Sequence, residues 1–319
     1  MKKIIISSER LELIESPPLE LHDDEVEIEV KAAGVNFADI KIRRGYVAQP
    51  DIPQPGLGNE VAGIVTRTGR DAHRFSIGEK VFGISHDGGG YAERVVMREF
   101  NVFRLPVHMT FEEGAGFPVA FQTAYHLLRT AAQVKAGDTV LIYAAGGATG
   151  TALVQLAKLF GCYIIAQSSS PEKLQRVLKL GADATTTAST ATMRDALAHL
   201  APKGVDAIFD GNAGADFAKN IDLLAMRGKL VLFGNSAGMP PPLDPYPLVY
   251  RSAHIVGFSM RSITAEPDLY ARTFDDLLAW HKAGKWRVEI GHRFALNEAM
   301  KAHDLIESRQ SYGKVILIP

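Results

Sequence analysis

The sequence predicts an α/β protein in two parts, a β-rich opening followed by an open, doubly wound parallel sheet with helices on both faces. Three observations predict it. The first ~115 residues carry short runs of apolar and charged residues with period two, cut by glycine turns. From about residue 120, apolar strands alternate with helical patterns: "DTVLIYAA", "CYIIAQ", "VDAIFDG", "GKLVLFG" and "AHIVGFSM", the first three each followed by a helix. The first of these strands runs into "GGATGTALVQLAKLFG", a glycine turn opening a helix.

Taken in order, "EVEIEVKAAGVNF" alternates as a half-buried strand, and "EVAGIVTRTG" and "GEKVFGI" follow the same style. Pro50, Pro53 and Pro55 exclude a helix interior and predict a stiff loop. "HDGGGY" at 86–91 predicts a hairpin loop between strands. The helix after Gly147 places Leu153, Leu156, Ala157 and Phe160 at i, i+3, i+4, i+7. The next helix has Ser170 as N-cap, Pro171 at its first position and Gly181 just past its end. Asp210, at the end of the fourth parallel strand, is expected to cap a turn rather than act as a base. The last ~60 residues hold the helix "DLYARTFDDLLAWHKAG", then "WRVEIGHRFAL", a short helix and the strand "GKVILIP", which is expected to return to the first domain. Trp280 and Trp286 there are expected to pack.

The 319 residues are 46% apolar, enough for about two domains. A net charge of -1, from 35 basic and 36 acidic residues, argues against nucleic-acid or membrane-surface partners. No apolar run approaches the ~20 residues of a membrane span. The run after Lys3 stops at Ile6, too short for a secretory signal. A single cysteine, Cys162, excludes an internal disulfide, and a reducing, cytoplasmic setting is expected.

The turn Ala145-Gly146-Gly147-Ala148-Thr149-Gly150 matches G-x-G-x-x-G at Gly147 and Gly150, with Ala145 in the first place. Gly147 lets backbone approach a pyrophosphate and Gly150 lets helix and strand pack closely. The amides of Ala148 and Thr149 then open the helix toward the phosphates. Sites specific for NAD place Asp or Glu at the end of the second strand; here Ser168, Ser169 and Ser170 stand there, with Lys173 close by. Hydroxyls and an ammonium suit a 2′-phosphate, so the expected cofactor is NADPH, held by Ser169 and Lys173. The alternative is that the serines only cap the helix and Lys173 is solvated.

The segments "GVNFADIKIRRG", "GLGNEVAG", "GGYAERVVM", "LPVHMTFEEGAGFPVAFQTAYHLL", "AAGGATG", "KGVDAIFDGNAG" and "LFGNSAG" resemble the zinc-independent quinone oxidoreductases, the zeta-crystallin-like members of the medium-chain dehydrogenase/reductases. The resemblance runs from Val26 to the C-terminal strand. It implies a chaperonin-10-like catalytic domain (residues 1–118 and 259–319) and a Rossmann domain (119–258), with cofactor in the cleft and a homodimer joined near "AHIVGFSM". Zinc-dependent relatives carry Cys where this chain has Asn36 and His where it has Asn59; no catalytic zinc is expected. Without a Lewis acid, an electron-poor acceptor such as a quinone or enone suits better than a simple ketone.

The resemblance also implies residue roles. Asn36 faces the nicotinamide, Tyr46 stands at the mouth for cofactor and substrate, and Thr123 lies near the nicotinamide. Phe233, Gly234, Asn235 and Ser236 run along the cofactor, Phe258 closes over the nicotinamide, and Lys314 reaches the pyrophosphate. Tyr46 and Asn36 are the candidate catalytic donors to the acceptor oxygen. The family tyrosine that follows Asn36 is replaced by Lys41, which faces either a phosphate or substrate or, as favoured, water. The adenine-side tyrosine is absent from "DATTTAST". Arg43, in a small basic cluster, is expected either to steer the anionic cofactor or to be a solvated pair. The expected function is NADPH-dependent quinone reduction; an enoyl or alkenal double-bond reductase and a non-catalytic NADPH-binding protein are the alternatives.

Overall fold

The computed structural model describes residues 1–45, 56–85 and 87–319. The calls on Tyr46, Pro50, Pro53, Pro55 and His86 lie outside the described residues. The chain forms two compact units, Met1–Val119 with Val288–Pro319, and Ala120–Arg287.

The first unit begins with a two-stranded ribbon, β1 (Lys2–Ser7) and β2 (Arg10–Glu15). Then come β3 (Glu25–Val35), helix α1 (Phe37–Arg43), β4 (Glu60–Thr68), β5 (Lys80–Ile84), β6 (Arg94–Arg98), β7 (Val102–Arg104) and helix α2 (Phe111–Gly116). Helix α3 (Pro118–His126) leads into the second unit. That unit holds β8 (Thr139–Ile142), α4 (Ala148–Leu159), β9 (Tyr163–Gln167), α5 (Pro171–Lys179), β10 (Ala184–Thr186), α6 (Met193–Leu200), β11 (Val205–Asp210) and β12 (Leu224–Leu232). It continues with α7 (Tyr246–Arg251), β13 (His254–Gly257), α8 (Arg261–Thr264) and α9 (Pro267–Lys282). The chain then returns to the first unit with β14 (Ile290–Ala295), α10 (Ala299–Glu307) and β15 (Lys314–Ile318).

In the first unit the sheet order is β14-β15-β3-β4-β5-β7, with β6 also on β3. The long β3 pairs with β6 through its first half and with β15 through Ala33–Val35. Being central, it buries more than one face. Val26, Ile28 and Val30 are core, as alternation predicts, yet Glu27 is buried too. Its carboxylate accepts from Thr66 Oγ1 (2.8 Å) and Arg67 Nη1 (3.1 Å), which offsets its desolvation.

The glycine run at 88–90 does not close a hairpin. β5 pairs with β4 and β7, while β6 pairs with β3. The run instead lies against 56–58, donating from Gly89 N–H to Leu57 O (2.9 Å) and from Gly90 N–H to Gly58 O (3.0 Å). A Cβ on Gly88 would run into the Gly56 backbone, so this close approach of two main chains is what the glycines provide.

The second unit's sheet is wholly parallel, in the order β10-β9-β8-β11-β12-β13. That is the doubly wound order 3-2-1-4-5-6, with its reversal between β8 and β11. Helix α4 is buried almost all round, from Gly150 to Ala157, rather than along one stripe. Gln155 can be buried because its side-chain amide pairs with the Arg287 backbone, at 3.0 and 2.9 Å. Helix α9 belongs to this unit, correcting its assignment to the first. Its buried face, Tyr270, Thr273, Phe274 and Leu277, meets α3, where Gln122 Nε2 donates to Tyr270 O and His126 Nε2 lies 3.2 Å from Thr273 Oγ1. Trp286 packs on Phe121 with ring centres 4.0 Å apart.

Candidate functional site

The expected cofactor residues of the parallel sheet lie in four loops that leave strand carboxyl ends, after β8, β9, β12 and β13, and the Asp210 turn follows β11 at the same edge. Ligands of doubly wound sheets bind along this edge, at the strand-order reversal. The turn after β8 and the Asp210 turn after β11 flank that reversal.

In the first turn Ala144 takes a left-handed conformation (φ 49°), while Ala145 is buried and donates to Gln167 O at 2.8 Å. Alanine at the first motif position therefore carries no left-handed strain; the strain sits one residue earlier. A Cβ on Gly150 would sit 2.6 Å from Ala145 Cα, so glycine sets the contact between α4 and the turn. Gly147 is the N-cap of α4 and has no side chain to cap the amides of Ala148 and Thr149. A twelve-residue helix thus opens with backbone donors and the positive end of its dipole.

At the end of β9, Ser168 is buried and Ser169 exposed. Ser170 caps α5, its Oγ accepting from the Lys173 N–H (3.2 Å), with Pro171 in the first turn. The Ser170 hydroxyl donates to Glu172 (2.6 Å), which holds that exposed carboxyl below its usual range. The Lys173 stem lies over the turn, close enough that a Cβ on Gly146 would touch it at 3.0 Å. Partial burial lowers the Lys173 ammonium from its ordinary value. Ser169, Lys173 and the α4 amides therefore border one short stretch of backbone.

Asp210 closes its turn as expected. Its Oδ1 accepts from Asn212 N–H (2.7 Å) and Ala213 N–H (3.1 Å), and its Oδ2 from Asn220 Nδ2 (3.1 Å). Burial raises its carboxyl above the usual range. The next turn abuts it: a Cβ on Gly234 would sit 2.6 Å from Gly211 O, and the Phe233 ring covers Gly211. Ser236 Oγ donates to Asn212 Oδ1 (2.9 Å), and Asn235 Nδ2 contacts Met239 Sδ (3.1 Å). Phe258, half-buried, follows β13 and donates its N–H to Leu232 O (2.9 Å). Thr123 is half-buried on α3 between the buried Gln122 and Ala124.

In the first unit, Asn36 precedes α1 and its side chain meets residues from two strands, β4 and β15. Lys314 Nζ donates to Asn36 Oδ1 (2.7 Å) and to Glu60 Oε1. Asn36 Nδ2 donates to the same Glu60 Oε1 (2.8 Å), and Glu60 Oε2 accepts from Val119 N–H (2.9 Å). An ammonium only donates, so the Asn36 amide is oriented oxygen to Lys314, nitrogen to Glu60. One Nδ2 hydrogen remains for a ligand.

Two expectations change here. Lys314, expected to reach a pyrophosphate, is instead 1% exposed and ion-paired with Glu60, because a buried ammonium needs a counter-charge. Arg43 neither steers nor stands in water. It is buried, ion-paired with Glu307 and donates to Glu9 O (3.2 Å). Lys41 is half-buried, and burial lowers its ammonium from its ordinary value. Glu60 escaped the sequence reading as a functional residue, although it directly follows Asn59. Asp39, Tyr91 and His303 escaped it as well. Asp39 carried one local signal, its place three residues after Asn36, the spacing at which a side chain reaches back to an N-cap amide.

Among the described residues, no three His, Cys, Asp or Glu side chains gather as metal ligands, and no helix is long and apolar enough to cross a membrane.

A chaperonin-10-like β unit joined to a dinucleotide-type sheet defines a nicotinamide-dependent dehydrogenase/reductase class. Comparison with known proteins agrees. The Alcohol dehydrogenase GroES-like domain model matches residues 22–107, and the Zinc-binding dehydrogenase model residues 148–279. A quinone oxidoreductase of Pseudomonas aeruginosa is 31% identical over 313 residues, covering 98% of this chain and 96% of that one. The human quinone oxidoreductase is 31% identical over 300 residues, 93% of this chain and 89% of its own. The crystal structure of Escherichia coli quinone oxidoreductase, solved with NADPH, superposes with a TM-score of 0.92 at 26% identity, all of both chains covered. The chain belongs to the quinone oxidoreductase family of the medium-chain dehydrogenase/reductases, and it is an oxidoreductase.

Proposed function

We propose that the protein reduces quinones, or closely related electron-poor acceptors, with NADPH, without zinc. The observation that carries the nucleotide choice is the end of β9, where hydroxyls and Lys173, not a carboxylate, stand beside the uncapped amides of α4. This donor set fits a nucleotide bearing a 2′-phosphate: a cradle without side chains for the pyrophosphate, and Ser169 with Lys173 for the extra phosphate. Ala145, Gly147, Ala148 and Thr149 form the cradle in this reading. Thr123, Phe233, Gly234, Asn235 and Phe258 line the cofactor's length. The E. coli relative's complex with NADPH supports the same choice.

NADPH, when bound, supplies the hydride. The Asn36 amide, oriented by Lys314 and Glu60, donates a hydrogen bond from Nδ2 to the acceptor oxygen on which charge builds. Tyr46, by the family resemblance, donates a proton at the same oxygen. The single cysteine, buried Cys162, supports a reducing, cytoplasmic setting. A homodimer joined along β13 belongs to the same proposal.

The test is oxidation of NADPH and of NADH at 340 nm, offered an ortho-quinone, a para-quinone and a linear enone. Turnover on a quinone with NADPH is expected. Turnover on the enone alone would move the protein to the double-bond reductases. No turnover, with NADPH still bound, would favour a binding role. Lys173→Ala is expected to weaken NADPH binding by about tenfold and leave NADH nearly unchanged. Equal dissociation constants for the two nucleotides in the wild type would sink the 2′-phosphate assignment.

A further inference from the structure

Behind Asn36 three buried polar groups form a line. Asp39, 0% exposed, accepts from the Asn36 N–H at Oδ2 (2.8 Å) and from the Gly58 N–H at Oδ1 (2.9 Å). Tyr91 Oη lies 3.1 Å from Asp39 Oδ2 and 3.2 Å from His303 Nε2. Asp39 comes from α1, Tyr91 from the loop before β6, and His303 from α10. Among the described residues His303 Nδ1 has no hydrogen-bond partner.

These contacts assign every proton. Burial, with the charges of Asp39 and Glu60, raises Tyr91 well above the ordinary phenol value, so it keeps its hydrogen. Burial, with Arg43 nearby, lowers His303 to about 3, so the ring is neutral. A carboxylate only accepts, so the single Tyr91 hydrogen goes to Asp39. The Tyr91 oxygen then accepts from His303, which puts the ring hydrogen on Nε2. The unpartnered Nδ1 is thereby a lone pair and not a stranded N–H. All three dipoles point the same way, toward Asp39.

We propose that Tyr91 and His303 are positioning residues for Asn36: they hold Asp39 as the carboxylate that grips the Asn36 and Gly58 amides. The proposal rests on the reading of Asn36 as a donor to the acceptor oxygen. Asp39 Oδ2 takes two donors, Asn36 N–H and Tyr91 O–H. A proton added there competes with both, and the grip on Asn36 loosens. The charged or titratable groups that act on Asp39 itself are Lys314 from β15 and Tyr91 from its loop; Glu60 from β4 acts on Tyr91, which His303 from α10 also contacts, and Arg43 from α1 acts on His303. Burial outweighs the lowering by Gly58, Asn36, Lys314 and Tyr91 and raises the Asp39 carboxyl to about 6. The gripping form is the carboxylate, so kcat falls as pH falls through about 6.

The experiment is kcat for quinone reduction at saturating NADPH from pH 5 to 8.5, paired with a 13C titration of the Asp39 carboxyl without nucleotide. In Tyr91→Phe, which loses only a hydroxyl, both the acid limb and the carboxyl titration are expected to move up by about half to one pH unit. His303→Gln keeps a donor toward Tyr91 and is expected to leave the limb in place; His303→Leu is expected to move it up. The His303 pair decides the matter should Tyr91→Phe fail to fold. A limb unmoved in folded Tyr91→Phe, or unmoved in His303→Leu, overturns the proposal. Asn36→Ala at pH 8.5 is expected to lose at least about tenfold in kcat. Full activity there overturns the Asn36 reading and this proposal with it. Loss there with an unmoved Tyr91→Phe limb overturns the positioning role alone.

Discussion

Lys314 shows how much of the site depends on distant pairing. Its ammonium is buried, and Glu60, 254 positions earlier, neutralises it. Nothing in "GKVILIP" marks that lysine as buried, and the resemblance implied only a reach to the pyrophosphate. Asn36 was legible because its residue type departs from a zinc ligand at a recognisable place. The clamp around it was not, because its members, Glu60 and Lys314, come from β4 and β15, far apart in the chain. Breaking a buried pair strands the survivor, whereas replacing both partners with apolar residues is close to neutral. Lys314→Met is therefore expected to cost about 3–5 kcal/mol in urea unfolding, and Lys314→Met with Glu60→Leu to recover most of it. A single variant as stable as wild type would show that Glu60 finds another partner.

Among the elements, local signals served well and long-range ones poorly. Ser170, Pro171 and Gly181 bound α5 because caps act within one turn of chain. The strand–helix alternation after residue 120 implied the doubly wound sheet, since short crossovers of one hand leave few orders to choose from. The partners of β6 and α9 were not legible. Period-two patterning says that a strand exists, not which strand it joins, and an amphipathic helix does not name the surface it covers. Sheet edges raise the same question between molecules. β13 ends its sheet, its residues are half-buried or exposed, and α7 just before it exposes Tyr246, Val249 and Tyr250. An open strand edge beside apolar side chains favours pairing with another copy. Light scattering is expected to return twice the chain mass, and Tyr250→Glu with Val249→Lys the mass of one chain. A wild-type protein of single-chain mass would remove the dimer.

At the scale of the whole molecule, each unit buries a histidine uncharged, and such a group works against stability in acid. In the second unit His126 is fully buried, with Nδ1 2.9 Å from Thr130 Oγ1 and Nε2 3.2 Å from Thr273 Oγ1. Burial lowers it from 6.5 to about 4. His303 stands likewise in the first unit, lowered to about 3. A group whose folded value is depressed binds fewer protons folded than unfolded. Its contribution is present above the unfolded value, 6.5, and is lost as pH falls through the folded one. For His126 the full swing is about 3 kcal/mol. Both tryptophans, Trp280 and Trp286, lie in the second unit, so their fluorescence follows that unit, which holds His126 and not His303. Urea midpoints read by fluorescence are expected to fall steadily from pH 6.5 to 4.5. In His126→Gln, which has no titrating ring, the fall is expected to be shallower by up to about one proton. The same substitution is expected to leave untouched the acid limb assigned to Asp39, which reports the first unit. A fluorescence slope equal in wild type and His126→Gln would mean that His126 takes up its proton without unfolding, against the burial that lowers its value.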